Sequence, residues 1–588
     1  MNPSTGLDKS SAPVAGPGRD RLLTPAMWRV LLAVVSAAAV FPALMIAPNE
    51  YDSCIFQWMG RRMWAGDLPY RDLWDNKLAV LYWINAAAAA TGSVRWANFG
   101  MQAAAVALGG MALYSLGRRL VGEWPGRLAG LAYVTFAATK PTLMTGNLTE
   151  TWAAPFVILS VWAMVRYVQD EKSQASWPLL SGLTLGLAAS LRQPAVFVGA
   201  ALLVLIPAMW RRRRVTLLAV MAWLIGVLIV PLLMLAWARR AGLGEEMWQQ
   251  CVQFNLAYGS SAELPPWVSW AEVWRRFVVL VNDTLVWHAL AAAGLVALLF
   301  FRAKPSAGAG HCEEGKREPD VSGKLPSRML VLVWLIAAGL SALPSLRFYN
   351  HHYYLAIAPL SLLVGALWIP FLEQSGPGER SRGVAAVGLM AVFVLAIAVY
   401  FNLWISSARG LARWAGPVTR AGDYLAPRVE QGQTVYVFSW GQESDLLPRL
   451  GAPSNTKHVM VQFYPELHNG SQMLAEWQAD MIDRPPAWLV CREGMDLVTD
   501  RRQPGQPSRW RSAFLWDQPR FSQFADEVAR AYRGRYVQMQ TFDRSAAGAS
   551  QPDDDRIIIY RRAPETDNSQ WRLPQSAPSR FPRSQPSR

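Results

Sequence analysis

Long apolar stretches with few charges constrain this sequence more than any other feature. A helix of about 20 apolar residues is long enough to cross the roughly 30 Å hydrocarbon core of a bilayer. Stretches at or near that length lie at about 28–47, 96–116, 126–146, 149–168, 177–192, 195–210, 215–238, 284–301, 329–346, 351–372 and 383–405. The sequence therefore predicts an α-helical polytopic membrane protein with about eleven spans.

One further apolar stretch, 78–92, has only about 15 residues (LAVLYWINAAAAATG), too few to span. We interpret it as an interfacial or re-entrant helix. The basic residues support this interpretation. If 78–92 is not counted as a span and the N-terminus is cytoplasmic, the alternating loops place these residues on the cytoplasmic side, as the positive-inside rule requires. Those residues are Arg118, Arg119, Arg127, Arg166, Lys172, Arg211, Arg212, Arg213, Arg214, Lys316, Arg317, Lys324, Arg328, Arg380 and Arg382. Segments 48–95, 239–283 and 406–588 should then face outward.

The two ends of the chain differ from its apolar middle. Residues 1–24 are rich in Ser, Pro and Gly, which predicts a disordered cytoplasmic tail before a membrane domain at 25–405. Between 406 and 562, strand-like runs (TVYVFSW, AWLVC, YVQMQTF, RIIIYRR) alternate with helical stretches such as 516–534. We expect an extracytoplasmic α/β domain there. The Pro, Ser and Arg-rich residues 563–588 predict a second disordered tail.

Composition and motifs exclude several functions. The formal net charge of +15 would favour nucleic-acid binding in a soluble protein, but here the cations concentrate in short loops beside apolar stretches, where they set orientation. Four widely spaced cysteines form no CxxC pair and predict neither a disulfide framework nor a thiolate metal site. No dinucleotide-binding or P-loop motif occurs, so the sequence gives no sign of a nucleotide-binding site.

The first outward segment concentrates acidic residues directly against the membrane (NEYDSCIFQWMGRRMWAGDLPYRDLWDNK, residues 49–77). For Asp67 and Arg71 we favour a solvated loop with ion pairs over a functional role. Glu50 and Asp52 follow the first span at once. A carboxylate at the lipid boundary loses hydration and becomes a stronger base, so we favour a catalytic role for Asp52.

The order of these motifs resembles a known group of enzymes. An acid after the first span is followed by Gly-Asp-Leu-Pro-Tyr-Arg-Asp at 66–72, then Asp75 and Lys77. Further matches are Asn-Leu-Thr-Glu at 147–150, Leu-Arg-Gln at 191–193 and Arg-Phe-Tyr-Asn-His-His-Tyr-Tyr at 347–354. Together they are similar to the GT-C superfamily, and within it to bacterial relatives of dolichyl-phosphate-mannose protein mannosyltransferases and lipid A aminoarabinose transferases.

The resemblance implies a GT-C-like membrane enzyme that transfers a sugar, hexosyl or pentosyl, from a polyprenyl-phosphate donor. The acceptor would be a lipid, glycan or protein hydroxyl on the outer face of an inner membrane, with inversion at the anomeric carbon. Many relatives carry two adjacent acids after the first span, whereas here Ser53 follows Asp52 and the second acid is Glu50. We take Asp52 as the general base and Glu50 as the second acid, although either could be the base.

A leaving phosphate needs cations and no general acid, because its second pKa is near 6. The candidates to bind it are Lys77, Arg192, Arg347, His351 and His352. Each has a structural alternative: interfacial anchoring for Lys77 and the histidines, and helix capping for Arg192. Asp72 and Asp75 remain loop candidates, and for Glu150 we favour a structural role.

Three questions stay open at the level of sequence. The loop carboxylates could hold Mg²⁺ or Mn²⁺, but no tight set of ligands is visible, so we assign no metal. A transporter or flippase of lipid-linked sugars would use similar charged groups, although the sequence shows no inverted repeat. An inactive envelope scaffold is the third interpretation.

Overall fold

A computed structural model of the protein describes residues 24–46, 51–139, 143, 146–170, 174–211, 216–256, 270–301, 327–342, 350–370, 397, 402–403, 405–406, 409, 416–438, 442–459, 470–492, 497–498, 519–542 and 556–564. They fall into two compact units, residues 1–415 and 416–588. Nearly all of the predicted tails and of the predicted span 383–405 lie outside the described residues, as do residues 302–326, Glu50 and Arg347.

The first unit is helical. Its helices are α1 (Pro25–Phe41), α2 (Tyr51–Trp64), α3 (Val80–Ala90), α4 (Val94–Leu120), α5 (Glu123–Ala137), α6 (Thr149–Gln169), α7 (Ser176–Leu191), α8 (Gly199–Leu203), α9 (Ile206–Arg211), α10 (Leu217–Arg240), α11 (Gly244–Trp248), α12 (Trp270–Asp283), α13 (Leu285–Phe300), α14 (Ser327–Leu340) and α15 (Ile357–Ala366). Shorter π or 3₁₀ turns lie at Pro42–Ile46, Gln193–Val198, Gln249–Gln253 and Asn350–Ala356.

Four helical segments among the described residues are long and apolar enough to cross a membrane: Pro25–Met45, Val94–Leu120, Thr149–Gln169 and Leu217–Arg240. The last of these exposes large apolar side chains such as Leu217, Leu218 and Leu233, a surface suited to lipid. Shorter apolar helices accompany them. The prediction of a mainly helical membrane protein is confirmed, whereas the count of eleven spans stays a prediction.

Three predicted spans differ from the helices found. The stretch 195–210 is divided into a 3₁₀ turn and the short helices α8 and α9. Pro207 lacks the backbone N–H that would continue an α-helix from α8 into α9. The stretch 351–372 begins with a 3₁₀ turn and becomes α-helical only at Ile357. Helix α5 ends at Ala137, well before the predicted end at 146.

Small residues bring the helices of the first unit close together. A Cβ added at Gly182 of α7 would lie 2.0 Å from the carbonyl oxygen of Trp223 in α10, and one at Gly226 would lie 2.4 Å from that of Leu179. Such close backbone contact is typical of helices packed within membranes. Helix α6 is mostly buried among its neighbours, so its first turn lies inside the protein.

The second unit contains a four-stranded sheet with strand order β1-β2-β4-β3. Its elements are α16 (Gly416–Leu425), β1 (Val435–Phe438), α17 (Leu446–Leu450), α18 (Gly470–Asp483), β2 (Trp488–Arg492), α19 (Pro519–Tyr532), β3 (Tyr536–Phe542) and β4 (Ile557–Arg562). The β1–β2 pair is parallel and the other two pairs are antiparallel. Each strand lies in one of the four runs that the sequence analysis singled out. Trp477, Trp488 and Tyr436 fill its core.

Candidate active site

Asp52 lies in the first turn of α2, a few residues after the end of the first candidate span. Its side chain is half-buried, and its carboxylate has no hydrogen bond or ion pair within the described part of the chain. An unpaired carboxylate is available to accept a proton from a substrate, which is the first requirement for a general base.

Glu150 and Arg192 form a buried ion pair between the start of α6 and the end of α7. The Arg192 guanidinium donates through Nη1 to Oε1 of Glu150, and the hydroxyl of Thr149 donates to Oε2 over 2.8 Å. The side chain of Arg192 is only 12% exposed and that of Glu150 only 3%. The Nε of Arg192 is buried and has no hydrogen-bond partner among the residues that the structure describes. Arg192 therefore has a donor left for a ligand.

The histidine pair closes the same site. His351 Nε2 lies 3.9 Å from Oε1 of Glu150, and the ring of His352 packs edge-on against that of His351, with 4.7 Å between centroids. The charges of Glu150, Asp52, Arg192 and Lys77 all act on the His351 imidazole. The structure thus brings together five of the candidates predicted from sequence, together with Glu150.

Lys77 lies in a loop, residues 65–79, that we call the lysine loop. Its Nζ donates to Oδ1 of Asn76 over 2.6 Å, and no salt bridge to Lys77 occurs among the described residues. An ammonium group has three donors, so two remain for a ligand. Two cations, Lys77 and Arg192, balance the charges of Asp52 and Glu150. The imidazoles of His351 and His352 supply further N–H groups.

Asp75 and Asp72, both candidates from sequence, occupy different environments. Asp75 is 1% exposed, and burial raises the pKa of its carboxyl group above the ordinary value. The charge of Lys77 and hydrogen bonds from Tyr82 and Asn76 oppose that rise. Asp72 is exposed and accepts a hydrogen bond from the backbone N–H of Leu68 over 2.8 Å, which is a turn contact. Asp72 therefore does not join the site.

The ion pairs expected in the first outward segment are present, with one new partner. Arg62 pairs with Asp67 through a 2.7 Å contact. Arg71 instead approaches Glu246 at 3.8 Å and donates to the carbonyl oxygen of Gly242 over 2.7 Å. These contacts hold the lysine loop against residues that follow α10.

Asn147 links three elements around the site and was not predicted to do so. It has φ 57° and is fully buried, and its side chain makes a reciprocal amide pair with Asn85 of α3. It also accepts from Nε1 of Trp152 over 3.1 Å and donates to the carbonyl oxygen of Ser53 over 3.4 Å. The Asn-Leu-Thr sequence is thus a packing feature, since a buried amide is closed to glycosylation. Gly146 before it, with φ 73°, was the available turn signal.

One group of side chains could hold a metal ion. The ligand atoms of Glu150, His351 and His352 lie within 4.8 Å of one another. Two imidazoles and a carboxylate suit a transition metal. Arg192 already occupies Oε1 of Glu150, however, and a second cation beside that guanidinium would be repelled. We therefore assign no metal to this group.

Known proteins resemble this chain in part of the sequence and in the fold. Residues 76–237 match the family described as dolichyl-phosphate-mannose-protein mannosyltransferase, a segment that includes Lys77, Glu150 and Arg192. Among solved structures, the chain is similar to ArnT from Cupriavidus metallidurans bound to undecaprenyl phosphate, with TM-score 0.55 and 13% identity over 91% of this chain and 98% of ArnT.

In fold the chain is similar to GT-C membrane glycosyltransferases, and the family match covers residues 76–237. The apo structure of the same ArnT also matches, with TM-score 0.53 and 14% identity over 79% of this chain and 93% of ArnT. Arabinofuranosyltransferase AftD from mycobacteria gives TM-score 0.49 and 16% identity over 92% of this chain and 40% of AftD. No curated protein sequence matches significantly. The predicted resemblance to GT-C proteins is therefore confirmed.

Proposed function

We propose that this protein is a GT-C glycosyltransferase, which transfers a sugar from a polyprenyl-phosphate donor to an acceptor hydroxyl, with inversion and with Asp52 as general base. Two observations carry the proposal. Arg192 pairs with Glu150 next to His351 and keeps a donor open. Asp52, whose carboxylate has no partner among the described residues, and Lys77 lie within electrostatic range of the same imidazole. A base and an anion site in one cluster suit attack by a hydroxyl and departure of a phosphate.

Each residue has a role in this reaction. The Asp52 carboxylate takes the proton of the acceptor hydroxyl as its oxygen attacks the anomeric carbon. The bond to the phosphate oxygen breaks, and Lys77 and Arg192 stabilise the charge on the leaving phosphate. His351 and His352 donate to the same group. Arg347 and Glu50 complete the proposal as a further cation and a second acid.

The nature of the leaving group explains why one carboxylate suffices. A glycosidase expels an alkoxide and needs a carboxylic acid to protonate it. A phosphate monoester leaves as a stable anion. Two comparisons support a lipid-phosphate donor. The ArnT structure holds undecaprenyl phosphate, and the matching family is named for a dolichyl-phosphate-linked sugar.

Orientation and domain boundaries are part of the same proposal. The N-terminus would be cytoplasmic, the site would open to the outer face, and residues 406–562 would form an extracytoplasmic domain. The clustering of Lys and Arg in alternate loops supports this orientation. Reporter fusions after residues 120, 212 and 588 test it, since the first two should report the cytoplasm and the third the outer side.

The decisive test is transfer by purified protein with synthetic polyprenyl-phosphate sugars and an envelope extract as acceptor. Release of polyprenyl phosphate is measured for the wild type, Asp52→Asn and Asp72→Asn. We expect Asp52→Asn to lower kcat by about 10²-fold to 10⁴-fold. The exposed Asp72 is the matched control and should leave kcat near the wild-type value. Near-normal transfer by Asp52→Asn would show that Asp52 is not the base.

A further inference from the structure

A segment far away in the sequence holds the lysine loop in place. Residues 250–255, which we call the clamp segment, contact the loop about 175 positions earlier in the chain. Gln250 is buried, and its Nε2 donates to the carbonyl oxygen of Tyr70 over 2.6 Å. Its Oε1 accepts from the N–H of Asp75 over 3.2 Å. One side chain therefore fixes two points of the loop.

The backbone of Lys77 is fixed as well. Its carbonyl oxygen accepts from the hydroxyl of Tyr70 over 3.0 Å, from that of Tyr82 over 3.3 Å and from Sγ of Cys251 over 3.2 Å. Burial raises the pKa of the Cys251 thiol to about 12, so it remains a donor. Tyr70 has φ 72°, which a bulky residue adopts only where its surroundings impose it.

The side-chain amides of Asn255 and Asn76 connect the clamp segment to the side chain of Lys77. Nδ2 of Asn76 donates to Oδ1 of Asn255, and Nδ2 of Asn255 donates to the carbonyl oxygen of Asn76, both over 2.9 Å. Oδ1 of Asn76 is then left to accept from Nζ of Lys77 over 2.6 Å. Because Asn255 takes up the donor end of the Asn76 amide, the acceptor end faces the ammonium group.

We infer that Asn76 and Asn255 are positioning residues, which direct the Lys77 ammonium toward the phosphate of the lipid carrier. Among the described residues, the Asn255 side chain bonds Asn76 and the carbonyl oxygen of Cys251, so it acts on Lys77 through these neighbours. The clamp segment therefore determines how well the site binds a carrier phosphate. This inference rests on the proposed function for the identity of the anion, although its binding test needs no turnover.

The test measures equilibrium binding of undecaprenyl phosphate to the purified full chain in detergent. Asn255→Leu removes both contacts with Asn76 and the one with Cys251, and should raise Kd about fivefold to tenfold. Asn255→Asp keeps the acceptor for Asn76 but loses the donor to the two carbonyl oxygens, so its Kd should lie between those of the wild type and Asn255→Leu. Asn76→Asp places a carboxylate on the Lys77 ammonium and should weaken binding more than Asn255→Leu.

Gln249→Leu is the matched control, because Gln249 is exposed and, within the described part of the chain, its side chain bonds Glu245 of α11 and no residue of the lysine loop. It should leave Kd unchanged. Equal Kd values for Asn255→Leu and Gln249→Leu would overturn the inference, as would a Kd for Asn255→Asp as high as that of Asn255→Leu.

Two further measurements separate positioning from damage to the fold. If Asn255→Leu lowers the melting temperature strongly, the comparison rests on Asn76→Asp and Asn255→Asp, which keep side-chain size. In the transfer assay, Asn255→Leu should raise KM for the donor and leave kcat near the wild-type value. If the wild type binds the carrier phosphate and transfers no sugar, the proposed function fails while the inference stands. Absence of binding to the wild type would overturn the inference.

Discussion

Arg192 has two roles, and a single substitution removes both at once. It neutralises the buried Glu150 and it offers a donor to a ligand. Removing one partner of a buried pair leaves an uncompensated charge, which costs about 3–5 kcal/mol. We expect Arg192→Gln to lower the melting temperature strongly and to weaken donor binding.

The double variant Arg192→Gln with Glu150→Gln separates these roles, because it removes both charges together. Its melting temperature should recover toward the wild-type value, whereas KM for the donor should remain raised. Thermal unfolding and transfer kinetics on the same preparations check this prediction. Recovery of donor KM in the double variant would mean that Arg192 has only a structural role.

Residue types near the site were predictable, while their contacts were not. Ionisable groups beside apolar spans are costly and are usually functional, which singles out Asp52, Lys77, Arg192 and the histidine pair. Nothing in the sequence marks Asn255, since an amide about 180 positions from Asn76 has no local pattern. Pairing between distant side chains depends on packing, which periodicity does not report.

At the scale of elements, the position of Asp52 depends on how closely α2 approaches α3. A Cβ added at Gly60 of α2 would lie 2.4 Å from the carbonyl carbon of Asn85, so the helices must move apart to admit it. We expect Gly60→Ala to lower both the melting temperature and kcat, because α2 carries Asp52 and Asn85 holds Asn147.

Gly100 provides the control, since it lies in helix α4 with open space around it. Gly100→Ala should be neutral or should stabilise by up to about 1 kcal/mol, the usual gain for alanine in a helix. Thermal unfolding and transfer assays compare the two variants. If Gly60→Ala behaves like Gly100→Ala, close approach of α2 and α3 is not needed to place the base.

Element boundaries show where apolar patterns stop being informative. The length of a stretch predicts α4, α6 and α10 well, because a span must match the bilayer. It fails at 195–210, where a 3₁₀ turn and Pro207 divide the helix, and at 351–356, where a 3₁₀ turn carries the histidine pair. Both departures lie next to the site, where irregular backbone brings polar side chains together.

For the molecule as a whole, two carboxylates respond to pH in opposite directions, one in each unit. Burial raises the pKa of Asp75 in the first unit, so its contribution to stability falls as pH rises above its ordinary value of 3.8. In the second unit, His458 and Lys457 lower the pKa of Glu476 to about 2 from an ordinary value of 4.5. Its contribution is complete above 4.5 and is lost as pH falls toward 2.

The two groups can be tested in the full chain by hydrogen exchange of peptides from each unit. Glu476→Gln should reduce protection of residues 470–492 at pH 6, and the difference from the wild type should shrink as pH falls below 4.5. Asp75→Asn should do the reverse: protection of residues 70–85 should match the wild type at low pH and exceed it near neutral pH. His458 is buried, which lowers its own pKa and keeps it a neutral partner of Glu476 near neutral pH. A pH-independent difference for Glu476→Gln would mean that the carboxylate is not held by this pair, and that the second unit owes its acid sensitivity to other groups.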